Sequence, residues 1–226
     1  MSKHLAFLYT FVILSGPVIA HLNAQEPAEP PLVHTVTFPT GDATWTVTFE
    51  KEEQAGGKPA KKLTKDDHGE EQITIVRTGK LRHDVETFTD GNTMEIWWNF
   101  GADVAFLKES ADKPFAAVSL GKMTGRYDQS YFSWVSAGKY QGMVVFHEKK
   151  CRYYMEEVAE RGHKDTLEVW IDNKTAKPVG FGTNGLVGIF NLDLPAPTTP
   201  LTLPDDIQKL QDRLNRFYPA AMPQHL

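Results

Sequence analysis

Two short stretches of this 226-residue chain place carboxylates beside tryptophan at matching positions. "MEIWWN" runs from Met94 to Asn99, and "LEVWID" runs from Leu167 to Asp172. Both read apolar, Glu, β-branched, Trp, apolar, then Asn or Asp. In an extended strand, alternate side chains share a face. Glu95, Trp97 and Asn99 then lie on one side of the first strand, and Glu168, Trp170 and Asp172 on one side of the second. Such a face could stack a sugar ring on its tryptophans and take the hydroxyls on its carboxylates. Glu95 and Glu168 could also form a glycosidase pair, which needs about 5–9.5 Å between the carboxyl groups. The simpler alternative is two half-buried strands with solvated acids and packed indoles.

Other chemistry finds less support. His34, His68, His83, His147 and His163 stand apart, with no Cys–His or His-x3-His spacing for a zinc site. His83-Asp84 with Glu86 is the nearest cluster and reads as a polar strand face. No glycine-rich phosphate loop or G-x-S-x-G elbow occurs. Ser130 and Ser133 have no recognisable histidine partner. Cys151, the one cysteine, lies between Lys150 and Arg152 in a strand and reads as a small apolar side chain. No catalytic residue, metal or cofactor is called for.

The chain begins like a secretory signal: Lys3 and His4, an apolar run from Leu5 to Ala20, and small residues before two cleavage points, Ala20 and Ala24. A retained membrane anchor is the alternative. Removing residues 1–24 takes away one charge, Lys3, and leaves 23 basic against 29 acidic residues, a net charge of −6. That balance argues against a general nucleic-acid binder. No later apolar run is long enough to span a membrane. One cysteine makes no internal disulfide, so stability must come from a core. A bacterial periplasm or the extracellular space is the expected location; a protein partner is not specified.

Residues 25–32, "QEPAEPPL", form a Pro-rich leader. Residues 33–226 then read as one β-rich domain. "TWTVTFE" (Thr44–Glu50) alternates strictly, with Trp45, Val47 and Phe49 on one face. Strands follow at 71–78, 81–88 and 93–100, with Asp90-Gly91-Asn92 as a turn. Residues 51–70 read as a solvated loop, and 109–142 as turn-rich, with "YFSWV" (Tyr131–Val135) as a short helix or a lid over one end of the sheet. Met143–Glu160 reads as one long strand, or two meeting at a bulge near Lys149-Lys150. "TLEVWID", "VGFGTNG" and "LVGIFNL" complete a meander. Residues 204–218 read as a helix: Pro204 at its first position, Asp205 and Asp206 at its positive end, and Ile207, Leu210, Leu214 and Phe217 on one stripe. The fold class is mainly β (α+β), a single twisted antiparallel sheet or half-barrel with a C-terminal helix packed on it.

Residues 140–217 resemble the outer-membrane lipoprotein carrier (LolA-like) superfamily. A long aromatic strand, "CRYYMEEV", leads into a hairpin marked W-I-D-x-x-T-x-x-P, here Trp170, Ile171, Asp172, Thr175 and Pro178. A further strand and "LTLP" then enter the final helix. The resemblance implies an incomplete antiparallel barrel wrapped around helices, carrying acyl chains or other lipids in an apolar hollow without catalysis. In this chain the hollow would be lined by Trp45, Val47, Phe49, Ile96, Trp98, Val169 and Ile171. Ile207, Leu210 and Leu214 would pack on it. The ligand implied is a lipid, an acyl chain or another apolar molecule.

Overall fold

The computed structural model describes residues 34–51, 61–62, 69–120, 127–160, 163–183 and 185–217. The chain divides into two compact units, Met1–Val33 and His34–Leu226, and every described residue belongs to the second. The expected signal segment, the Pro-rich leader and most of the 51–70 loop lie outside the described residues.

The strands are β1 (Ala43–Lys51), β2 (Lys61–Lys62), β3 (Glu70–Thr78), β4 (Leu81–Phe88), β5 (Thr93–Asn99), β6 (Val104–Lys108), β7 (Ala116–Ser119), β8 (Tyr140–Phe146), β9 (Lys149–Glu160), β10 (His163–Asp172), β11 (Pro178–Thr183) and β12 (Leu186–Asn191). Helix α1 (Asp205–Phe217) follows. The sheet order is β7-β6-β5-β4-β3-β1-β12-β11-β10-β9-β8, with β2 paired to β1 off that path. Every pairing is antiparallel. Two local meanders, β3 to β7 and β8 to β12, are thus joined through β1. The joining pair is long-range: Val47 lies opposite Phe190 and Phe49 opposite Gly188. Such a pairing pays a large loop closure and needs a strong apolar reward. Strand β1 supplies it, because Trp45, Val47 and Phe49 are each at most 1% exposed.

Strands β8 and β9 do not form one strand or meet at a bulge. They are a hairpin reversed at His147 and Glu148, whose φ values are +44° and +63°. Two successive positive φ values suit the twist of a tight hairpin and usually recruit Gly or Asn. Neither is present, so the sequence hides the turn. The described residues of 109–142 hold β7, two 3-10 turns (Gln129–Phe132 and Ala137–Lys139) and the start of β8. Asp128 caps the first turn by accepting from the Ser130 amide at 2.8 Å.

Helix α1 packs on the face opposite to the one expected. Ile207, Leu210 and Leu214 cover Trp97 and Phe106, not Trp45. The reason is visible in β5 and β6. Ile96, Trp97 and Trp98 are buried in succession, as are Ala105 and Phe106. An unbroken buried run marks a strand covered on both faces. Asn99 Nδ2 donates to Gln211 of the helix at 3.2 Å, and the Leu201 amide donates to Thr78 Oγ1 at 2.7 Å. No helix among the described residues is long and apolar enough to cross a membrane.

Candidate functional site

The paired Glu–Trp stretches do not form a site together. Strands β5 and β10 are six interstrand steps apart in the sheet, each about 4.8 Å. Along the sheet that separation far exceeds the about 5–9.5 Å that a glycosidase pair needs. Both tryptophans are covered as well. Trp97 is 7% exposed and lies under His83, with ring centroids 4.1 Å apart, and under α1. Trp170 is 8% exposed and sandwiched between Phe146, at 4.1 Å and 4° from parallel, and Tyr153, at 5.6 Å. Glu168 accepts from the Tyr153 hydroxyl. Asp172 accepts from the amides of Lys174 and Thr175, at 2.7 and 2.9 Å, and so shapes its turn. The sugar platform is overturned: its indoles have no free face.

His83 Nε2 lies 3.3 Å from Glu95 Oε2. Burial lowers the His83 pKa below the ordinary 6.5, while Glu95 and Asp84 oppose the shift. Between its folded pKa and 6.5 the folded chain binds fewer protons than the unfolded one, so His83 stabilises at higher pH and that stability is lost as pH falls. The expected result is a melting temperature that drops as pH goes from about 7.5 to about 5.5, with a shallower slope in His83→Gln. Thermal unfolding followed by circular dichroism across that range checks it.

The other face carries the stronger candidate. Trp45, Val47, Phe49, Val169 and Ile171, the greater part of the expected hollow, share one cluster. Ile96 and Trp98 lie on the same face in a second cluster with Ala105. All seven are 0–2% exposed. The hollow is filled, and not by α1. Val36, Phe38, Tyr127 and Phe132 pack into it. Phe38 stacks on Phe132 at 5.7 Å, and Phe181 meets Phe49, Tyr127, Tyr131, Phe132 and Phe190. We refer to residues 127–139 as the strap.

Between the two clusters sits a buried charge. Arg82 donates from Nε and Nη2 to the two oxygens of Asp84, at 2.7 and 2.8 Å. Trp98 Nε1 donates to Asp84 Oδ2 at 2.8 Å. The guanidinium lies over the rings of Trp45 and Trp98, at 5.7 and 5.2 Å. Arg82 Nη1 reaches Asp128 of the strap at 3.0 Å. Burial pushes the Asp84 carboxyl pKa up, and Arg82 pulls it back. The β4 residues taken as a polar strand face divide: Asp84 and Glu86 point into the core with Arg82, and His83 points to the α1 side. A signal was present, since "LRHDVETF" puts three charges at alternate positions. Alternation alone does not say which set is buried.

Polar links tie the strap to the sheet. They include Arg82–Asp128, the Trp45 Nε1 bond to the Tyr127 carbonyl at 3.1 Å, the Tyr127 hydroxyl bond to Glu70 at 3.1 Å, and Lys139–Glu156 at 2.8 Å. Beside it a cleft of about 380 Å3 opens between Phe38, Thr40, Trp45, Arg77, Asp128 and Ser130. Cys151 is fully buried, and burial lifts its thiol pKa to about 11, so it is not poised as a nucleophile. No three His, Cys, Asp or Glu side chains converge as a metal site among the described residues. No protein-family model matches this chain, and no curated protein does.

Proposed function

We propose that this is an exported, non-enzymatic binding protein of LolA-like half-barrel form, holding an apolar chain against the Trp45 face. The observation that carries the reading is the strap. An aromatic face spanning β1, β3, β9, β10, β11 and β12 is covered by an irregular segment with two 3-10 turns, not by a further strand or helix. Irregular cover outside the sheet ladder opens at lower cost than sheet or helix. An acyl chain that displaced Tyr131 and Phe132 would recover burial area for area, which is how apolar ligands are held. The cleft beside Trp45 offers the way in. The outward carboxylates are far apart and engaged with Tyr153 and His83, which supports binding over catalysis.

Native mass spectrometry of protein purified from its own host tests this. The expected spectrum carries an adduct of lipid mass that organic extraction removes. A bare chain mass, together with no thermal stabilisation by added decanol, would sink the proposal.

A further inference from the structure

Arg152 and Arg82 are two buried arginines on the same face, and among the described residues only Arg82 has a counter-charge. Arg82 is 1% exposed and is met by Asp84 and Asp128. Arg152 is 3% exposed, and its Nε is buried with no acceptor. It lies in β9 between Ile171 of β10 and Met143 of β8. Glu156, further along the same face of β9, is taken by Lys139 at 2.8 Å. The neighbour that Arg152 does have is the Tyr154 hydroxyl. Burial raises that hydroxyl's pKa, and the guanidinium pulls it down. The same hydroxyl lies 3.0 Å from His34 Nδ1, and the rings of His34 and Tyr140 pack against Tyr154.

A guanidinium does not shed its proton to escape burial. A buried charge without a partner is far more costly than a paired one. The planar fork of Arg152 suits a carboxylate or phosphate, which it can grip with two parallel bonds. Tyr154 and His34 add polar atoms beside it. Tyr154 also belongs to the cluster of Val169 and Ile171, so an anion at Arg152 would sit at the border of the apolar face.

We infer that Arg152, with Tyr154 and His34, is an oxyanion site that holds the acidic head of the bound molecule. The ligand class is then an anionic amphiphile, a carboxylate or phosphate joined to an apolar chain. This deepens the binding reading above and rests on it for the chain, though not for the anion.

The test uses delipidated protein lacking the signal, with sodium decanoate, 1-decanol, sodium acetate and inorganic phosphate as probes. Calorimetry should give decanoate at least about tenfold tighter binding than decanol, the difference being the charge-assisted grip. Arg152→Gln should lose that preference and bind decanol as before, which also reports that it is folded. If Arg152→Gln does not fold, Arg152→Lys keeps the charge without the fork and should show a reduced preference. Equal binding of decanoate and decanol to the unmutated protein overturns the head-group site and leaves the apolar reading standing. A preference that survives in the variants overturns it too. The opposite split is also readable. If neither decyl probe binds, but phosphate or acetate raises the melting temperature and Arg152→Gln abolishes this, the anion site stands and the apolar reading falls. No response to any anion overturns the site.

Discussion

Arg82→Met is expected to destabilise the protein by about 3–5 kcal/mol, because it strands a carboxylate in the core. Asp84 is 2% exposed and takes both of its Arg82 bonds from one guanidinium. Methionine removes those donors and leaves, among the described residues, the Trp98 indole as the hydrogen-bond donor to Asp84. Burial already pushes the Asp84 pKa up; without Arg82 the carboxyl would be driven further toward its neutral form. Urea unfolding followed by tryptophan fluorescence measures the loss. The double variant Arg82→Met with Asp84→Leu should recover much of it, since removing both charges removes the desolvation penalty. A double variant no better than the single one would mean the cost is packing between Trp45 and Trp98, not charge. The single variant also cuts the Asp128 link, so it should loosen the strap. Faster hydrogen exchange at 127–139 than the global loss explains is the expected sign.

Gly188→Ala is the second large effect, at about 3 kcal/mol, the upper end of the usual overpacking cost. A Cβ at Gly188 would come within 2.2 Å of a Phe181 ring carbon and 2.5 Å of the next. Phe181 cannot swing away freely. It is 2% exposed and held among Phe49, Tyr127, Tyr131, Phe132 and Phe190. Gly91 is a useful contrast. It has open space around its Cβ position but a φ of +86°, so alanine there meets only backbone strain, about 1 kcal/mol. Equilibrium unfolding of both variants should rank Gly188→Ala as clearly the more damaging. Adding Phe181→Leu to Gly188→Ala should recover part of the loss; if it recovers none, the ring is not the obstacle. A similar arrangement recurs on the outward face, where Phe146 lies across Gly180, and Glu168 with Trp170 lies across Gly182. Gly180 and Gly188 thus serve as seats for the rings of Phe146 and Phe181.

Much of the architecture was legible in local pattern. Strict alternation in Thr44–Glu50 placed Trp45, Val47 and Phe49 on a buried face, and burial in β1 alternates without a break. The turn chemistry of Asp172 to Pro178 located a hairpin, and Asp172 makes the amide bonds that such a turn needs. The stripe and end charges of residues 204–218 located α1 to within a residue or two. These features depend on periods of two or 3.6 residues and on side chains bonding their own backbone, so a short window contains their cause.

The candidate site was much less legible. Glu95 and Glu168 share a motif, but strand order puts six interstrand steps between their strands. Trp97 and Trp170 both leave the Trp45 face, yet His83 and α1 cover one, and Phe146 and Tyr153 cover the other. "LRHDVETF" reads as a wet strand, while its Arg82, Asp84 and Glu86 are the buried side. Arg152 carries no local mark at all; its distinction is the counter-charge it lacks. Alternation assigns residues to two faces but is blind to what lies over each face. For this chain that was decided by long-range pairing of β1 with β12, by the strap filling the Trp45 face, and by α1 turning to the other side. Each is a contact between distant segments, whose energy exists only once the sheet has brought them together.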